Sequence, residues 1–301
     1  AVIHTLTLAA TGATTLTVAG NNGLTLTNTG NAAITTFNAS GVVANNTAAS
    51  TYVAATSDSG ANLAVTFASK NATANAAVAI TGGAGDDVLT GSDQAVNVDT
   101  ITGGEGADTI TGGTGNDVII LTETTAAIDT VALTASATNG VDTIRGFAAG
   151  TGIDVVDLID TETTVTTANG TAAVFASTTS SAVLTTGASA FVLTGIATTT
   201  TLTDVVEITT TLSSYGNLGL SGATSGTELL KALSSTDTAA TGITLDTAGD
   251  DFYLVAYQGG NAYLYDVTDS GDTNATAAEI ALVGVFEGIT AGAFASGDFV
   301  A

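Results

Sequence analysis

The sequence predicts an all-β fold: a parallel β-solenoid with metal-binding turns, followed by a mostly β C-terminal region with one short helix. Three observations predict it. Short alternating strands recur near the start at almost constant spacing, and a Gly-Gly-x-Gly-x-Asp nonapeptide then appears three times. Thr, Ala, Gly and Val dominate, while Pro, Met, Trp and Cys are absent, a balance that suits stiff strands better than disordered chain.

The strands come first. Thr5-Leu6-Thr7-Leu8, Thr15-Leu16-Thr17-Val18, Leu24-Thr25-Leu26-Thr27 and Ile34-Thr35-Thr36-Phe37 are separated by Gly or Asn turns. Leu8, Val18, Leu26 and Ile34 stand 10, 8 and 8 residues apart. A hairpin meander shares that spacing, but strands this short with a near-constant period favour a stacked coil in which each rung buries its apolar face on the next. Segments 63–67 and 77–80 read as further strands, so residues 1–81 are assigned to a Thr-rich solenoid.

The nonapeptides follow. Gly82-Gly83-Ala84-Gly85-Asp86-Asp87-Val88-Leu89-Thr90, Gly103-Gly104-Glu105-Gly106-Ala107-Asp108-Thr109-Ile110-Thr111 and Gly112-Gly113-Thr114-Gly115-Asn116-Asp117-Val118-Ile119-Ile120 share one pattern. A degenerate unit over 91–102 keeps Asp99-Thr100-Ile101-Thr102. Glycines allow backbone angles closed to other residues, so turn carbonyls can face one ion while the Asp adds an anionic oxygen, and hard oxygen donors in a flexible ring select Ca²⁺. Two nonapeptides make one coil, with Leu89, Ile101, Ile110 and Ile119 pointing into the core. Asp87 then stacks with Asp108 on one edge and Asp99 with Asp117 on the other, with several ions held between stacked turns.

Charge points the same way. Three basic residues, Lys70, Arg145 and Lys231, face 28 acids, a net charge of −25. Phosphate recognition needs clustered Lys and Arg, so nucleic acid is excluded as a partner. Residues 1–80 hold a single acid, Asp58, whereas 81–160 hold 13 and 161–301 hold 14. A divalent metal is the natural compensating charge. No apolar run reaches the ~18 residues of a membrane-spanning helix, so membrane insertion is not expected. The chain opens without Met in strand-like Val2-Ile3-His4, which reads as part of something longer.

Strands continue at 118–122 and 129–134, and then in Val141-Asp142-Thr143-Ile144-Arg145-Gly146-Phe147 and Ile153-Asp154-Val155-Val156-Asp157-Leu158, giving a roll and its continuation over 82–160. Residues 161–301 form a C-terminal β-rich domain whose stretch 161–222 has no legible motif. Ser225-Gly226-Thr227-Glu228 reads as a capping box opening a helix with Leu229, Leu230 and Leu233. Phe252-Tyr253-Leu254-Val255-Ala256-Tyr257, a Gln-Gly-Gly-Asn turn and Ala262-Tyr263-Leu264-Tyr265 read as a hairpin. Three acidic clusters (Asp154, Asp157 and Asp160; Asp250 and Asp251; Asp266, Asp269 and Asp272) read as solvated turn residues rather than ligands.

The sequence does not read as an enzyme. Its single histidine, His4, sits on a Thr-rich strand, so neither a two-histidine zinc helix nor a Ser-His-Asp triad can form, and Gly-x-Ser-x-Gly is missing. The acids repeat in turns instead of forming the unique pair a glycosidase needs. Thr-x-Thr rungs can order water as an ice-binding face does, but they are few and irregularly spaced, and Thr is a good solvent-facing strand residue.

The nonapeptides resemble the RTX repeats of bacterial proteins exported by type I systems, which form Ca²⁺-loaded parallel β-rolls. That resemblance maps ligands onto Asp87, Asp108 and Asp117, with turn carbonyls from Gly83, Gly85, Gly104, Gly106, Gly113 and Gly115, and with Asp99 as a weaker transfer because its glycine turn is lost. The run from Thr17-Val18-Ala19-Gly20 through Gly23-Leu24-Thr25-Leu26-Thr27-Asn28-Thr29-Gly30-Asn31 to Thr36-Phe37-Asn38-Ala39-Ser40 is similar to Caulobacter-type surface-layer (S-layer) proteins. So is the tail Ala293-Phe294-Ala295-Ser296-Gly297-Asp298-Phe299-Val300-Ala301. The likeness covers 1–120 and, more loosely, 225–301. It implies a C-terminal export signal, self-assembly into a Ca²⁺-dependent lattice on the cell surface, and attachment to surface polysaccharide through an N-terminal part not recognisable here. An RTX adhesin, using the same roll as a stalk, is the alternative.

Overall fold

Alternating Thr with Leu, Ile or Val gives each short strand a wet face and a dry one, and the chain buries the dry faces by coiling. The computed structural model describes residues 3–9, 11–44, 60–134, 139–150, 153–159, 175–178, 191–192, 205–212, 214–234, 238–244, 252–268, 270–271 and 274–300. Contacts divide the chain into two units. The first takes in Ala1–Thr134, Asp142–Ala148 and Gly152–Asp157, and the second Ala135–Val141, Ala149–Thr151 and Leu158–Ala301.

In the first unit, strands β1 (His4–Leu8), β2 (Thr15–Gly20), β3 (Leu24–Asn28) and β4 (Thr36–Val42) precede a short helix α1 (Gly60–Leu63). There follow β5 (Val65–Ala68), β6 (Ala79–Thr81), β7 (Val88–Thr90), β8 (Thr100–Thr102), β9 (Thr109–Thr111) and β10 (Val118–Ile120). Three more complete the roll: β11 (Thr130–Thr134), β12 (Asp142–Arg145) and β13 (Val155–Ile159). Odd-numbered strands form one sheet and even-numbered strands the other. Pairing is parallel from β1 to β11 and from β2 to β12. This is a parallel β-roll, each coil contributing one strand to each sheet.

Register aligns the apolar residues into two columns. Leu6, Leu26, Phe67, Leu89, Ile110 and Val131 stand over one another in the first sheet. Leu16, Phe37, Ile80, Ile101, Ile119 and Ile144 do so in the second. From Phe37 and Phe67 onward these side chains are sealed from solvent, and each contributes about 1.5–3 kcal/mol of burial. The Phe37 and Phe67 rings stack at 4.0 Å, 3° from parallel.

Three expectations about the strands need correction. Ile34 lies in the turn before β4 rather than in a strand, although it is still buried. The 10-8-8 spacing measures steps between the two sheets, whereas partners within a sheet stand 20 (Leu6, Leu26) or 21 (Leu16, Phe37) residues apart. Irregular spacing of Thr in sequence also does not survive folding: Thr5, Thr25 and Thr66 align in one outward row, which Val88 interrupts before Thr109 resumes it.

Asparagines tie the turns that lead from the first sheet to the second. Asn31 Nδ2 donates to Ala13 O at 2.9 Å, Asn71 Nδ2 to Ile34 O at 2.9 Å and Asn97 Nδ2 to Ala76 O at 3.0 Å. Their Oδ1 atoms accept from Ala33, Thr73 and Ala76 N–H. These three side chains are buried with both ends hydrogen-bonded, so they join coils without charge.

The second unit contains β14 (Phe175–Thr178), β15 (Phe191–Val192), β16 (Val205–Thr211), α2 (Ser225–Ser234), β17 (Ile243–Thr244), β18 (Phe252–Gln258) and β19 (Asn261–Val267). β20 (Asn274–Ala275), β21 (Ile280–Phe286) and β22 (Phe299–Val300) complete it. Strands order as β14-β16-β18-β19-β21, with β15-β17-β20 in a small separate sheet. The β18–β19 hairpin turns on Gly259 and Gly260, at φ 63° and 85°, the left-handed pair that a tight hairpin requires. Leu229, Leu230 and Leu233 of α2 pack into a core with Val206, Leu254 and Tyr265.

The expected capping box at Ser225 does not form. A 3₁₀ turn over Gly222–Thr224 runs directly into α2, leaving Ser225 helical at φ −57°. Its hydroxyl bonds Ile280 O, and Glu228 instead accepts from Asn217 N–H and Lys231 Nζ. A capping box forms at Thr276 and Glu279.

Candidate metal centre

Stacked turns place the repeat aspartates in two ladders, one on each edge of the roll. On one edge the N–H groups of Val65, Asp87, Asp108 and Asp129 donate to Oδ1 of Asp87, Asp108, Asp129 and Asp154, at 2.7, 2.8, 2.8 and 3.0 Å. On the other, Val78, Asp99 and Asp117 donate to Asp99, Asp117 and Asp142 at 2.8, 2.8 and 2.9 Å. Each carboxylate thus holds the coil before it by one oxygen. All seven aspartates are buried.

The second oxygen separates them into kinds. Asp87 Oδ2 accepts Gly83 N–H at 2.5 Å, Asp99 Oδ2 accepts Ser92 N–H at 2.6 Å and Asp154 Oδ2 accepts Ala148 N–H at 2.7 Å. Asp108 Oδ2 and Asp117 Oδ2 are buried and accept nothing. A Cβ built on Gly112 would lie 2.7 Å from Asp117 Oδ2 and 3.1 Å from Asp142 Oδ2, so two carboxylates converge over that glycine. Gly103 and Gly82 leave the same room, at 2.2 Å from Asp108 Oδ2 and 2.3 Å from Asp87 Oδ2.

The three motif turns are not equivalent. Gly104, Gly106, Gly113 and Gly115 have φ between 100° and 127°, whereas Gly83 and Gly85 stay out of the left-handed region. A Cβ at Gly83 would meet Val42 O at 2.8 Å and one at Gly85 would meet Leu63 C at 2.3 Å. Turn 82–87 is therefore shaped by backbone packing and closed by its own Asp87–Gly83 bond, while turns 103–108 and 112–117 hold unmatched anionic oxygens.

Burial raises Asp108 from the ordinary 3.8 to about 9, with Asp87, Asp129 and Glu123 adding like charge. Asp117 rises to about 8, again chiefly through burial, with Asp142 and Asp99 as charged neighbours. Asp129 reaches about 7 and Asp87 about 6 for the same leading reason. A divalent cation beside such groups inverts this preference, because it favours the ionised carboxylate.

These residues fit a calcium ion. Every donor is oxygen, the orphaned atoms are anionic and buried, and the sharpest turns leave room for carboxylate where a side chain would collide. Among the described residues no three acidic or histidine side chains converge on one point. Turn carbonyls, including those of Gly104, Gly106, Gly113 and Gly115, would therefore complete the shell of about 6–8 oxygens that calcium takes.

The turn-residue reading of Asp154 is corrected: it is a buried rung of the ladder. Asp129 and Asp142 also belong to it and were missed, as were the first glycines Gly82, Gly103 and Gly112. Asp157 lies in β13, away from both ladders, and Asp160, Asp250, Asp251, Asp269 and Asp272 fall outside the described residues.

A parallel roll with aspartate turns on both edges defines the class: a calcium-binding β-roll protein. Residues 79–95 and 97–121 match the family model of the RTX calcium-binding nonapeptide repeat (4 copies), so the chain carries RTX repeats. No curated protein matches the chain.

Proposed function

We propose that this chain is a structural component of a secreted bacterial surface layer, exported by a type I system, that folds on meeting calcium outside the cell and assembles with its own copies into a lattice. The observation that carries the calcium half is the pair of buried, unpartnered oxygens on Asp108 and Asp117. Calcium, when bound, supplies the positive charge that the chain's three basic residues cannot. Without it the stacked carboxylates, once ionised, repel one another, which keeps the repeats from closing. With it, binding free energy becomes folding free energy. The assembly half is supported by the resemblance of 1–120 to Caulobacter-type S-layer proteins and by a chemistry-poor sequence whose one histidine lies on an exposed edge strand. We assign no catalytic role.

Circular dichroism and electron microscopy of the purified chain test both halves. Loss of β signal in chelator and its return with millimolar Ca²⁺, accompanied by ordered sheets, is the expected result. An unchanged spectrum in chelator would defeat the calcium half. Discrete soluble rods that bind a glycan would replace the lattice with an adhesin's stalk.

A further inference from the structure

Turn 121–129 lies beyond the last repeat and has no glycine, yet it is bound to turn 103–108 at both ends. The Glu105 carboxylate accepts Thr124 N–H at 2.8 Å, Thr124 Oγ1–H at 2.6 Å and Thr125 N–H at 3.1 Å. At the far end Asp108 N–H reaches Asp129 Oδ1 at 2.8 Å, and Thr130 N–H reaches Asp108 O at 2.7 Å.

Between these ties stands Glu123. Its Oε2 accepts Ala127 N–H at 2.7 Å, while Oε1 is buried without a partner. The Gly106 backbone of the neighbouring turn bears on this carboxylate, which places Glu123 against that turn. Asp108, in that turn, is 1% exposed with Oδ2 equally unpartnered, and Glu123 is among the like charges that bear on it. The charged groups bearing on the pair are Asp87, Asp129, Asp154 and Glu105, all acids. Two buried anionic oxygens without a donor are costly, and a cation shared between them removes the cost.

We propose that Glu123 Oε1 joins Asp108 Oδ2 and carbonyls of the two turns in holding a calcium ion, a ligand the nonapeptide motif does not encode. This rests on the calcium reading above. Glutamate suits the task because its extra methylene carries the carboxylate inward from a turn that lacks the glycines needed to point carbonyls there. The ligands of the roll's ion column on this edge therefore extend one turn past the repeats.

Equilibrium dialysis of the whole chain at saturating Ca²⁺ tests it. Glu123→Gln keeps the acceptor for Ala127 N–H and is expected to hold one ion fewer than wild type. Asp117→Asn is expected to lose a different ion on the opposite edge, and the double variant two. Unchanged ion content and affinity in Glu123→Gln would overturn the site, whereas a wild-type chain taking up no calcium would defeat the calcium reading itself. If circular dichroism finds Glu123→Gln unfolded in Ca²⁺, Glu123→Asp carries the test. It keeps the charge but draws the oxygens back, and should bind one ion at least tenfold more weakly; unaltered affinity would again overturn the proposal.

Discussion

Asp99 and Asp108 occupy equivalent rungs on opposite edges and differ by one hydrogen bond. Ser92 N–H satisfies Asp99 Oδ2, whereas nothing satisfies Asp108 Oδ2. The same substitution should therefore act oppositely at the two. Asp108→Asn keeps an acceptor for Asp87 N–H and removes a group that the calcium-free fold must hold protonated against its ordinary ionisation, so the calcium-free chain should gain about 1–3 kcal/mol while the calcium-loaded chain loses stability. In Asp99→Asn the amide must set a donor against either Val78 or Ser92 N–H, at a cost of about 1–3 kcal/mol with or without calcium. Thermal unfolding of both variants in calcium and in chelator distinguishes the two behaviours. Parallel responses would mean that the orphaned oxygen of Asp108 has little energetic weight.

Among the elements, the strand rungs and the turns fail in different ways. Leu89→Ala removes a fully buried rung side chain from the apolar column, and about 2–5 kcal/mol should be lost. Gly104→Ala introduces a Cβ 2.2 Å from Gly83 O at φ 121°, adding about 1–3 kcal/mol of backbone strain to a collision. Gly259→Ala, at φ 63° with open space around it, should cost only about 1 kcal/mol. Urea midpoints rank the three, and a Gly104→Ala chain as stable as Gly259→Ala would contradict the close stacking of turns. The elements also set what was legible in sequence. Rungs 88–90, 100–102, 109–111 and 118–120 could be read because Asp and the apolar residue keep phase. Asp129, Asp142 and Asp154 could not be read from glycines, since their turns have lost the double glycine; only the Asp-x-apolar tail of Asp129-Thr130-Val131 and Asp142-Thr143-Ile144 signalled them. Ile34 was misplaced because a buried turn residue and a strand residue look alike when one coil's length is unknown. The capping box at Ser225 was a correct local pattern overruled by a preceding 3₁₀ turn, which no residue-level rule foresees.

Across the whole molecule, the raised carboxylates fix the direction of the pH response. In the calcium-free roll Asp87, Asp129, Asp117 and Asp108 hold their protons up to about 6, 7, 8 and 9, against an ordinary 3.8. The folded state then binds more protons than the unfolded one, so stability should be greatest near pH 4 and fall as pH rises toward 9. Calcium reverses the trend, because the ion needs the ionised carboxylate and is released as pH falls. Melting temperatures across that range, in ion-stripped and calcium-containing buffers, should cross; two parallel curves would argue against metal at these aspartates. The asparagine ties give the roll a polarity of its own. Asn31, Asn71 and Asn97 fasten early coils with groups that neither titrate nor recruit an ion, whereas Asp108 and Asp117 fasten later ones conditionally. The roll so made has a permanent hem and a releasable one: withdrawing divalent ions should unpick it from the aspartate end, and restoring them should re-lay coils on a template still standing.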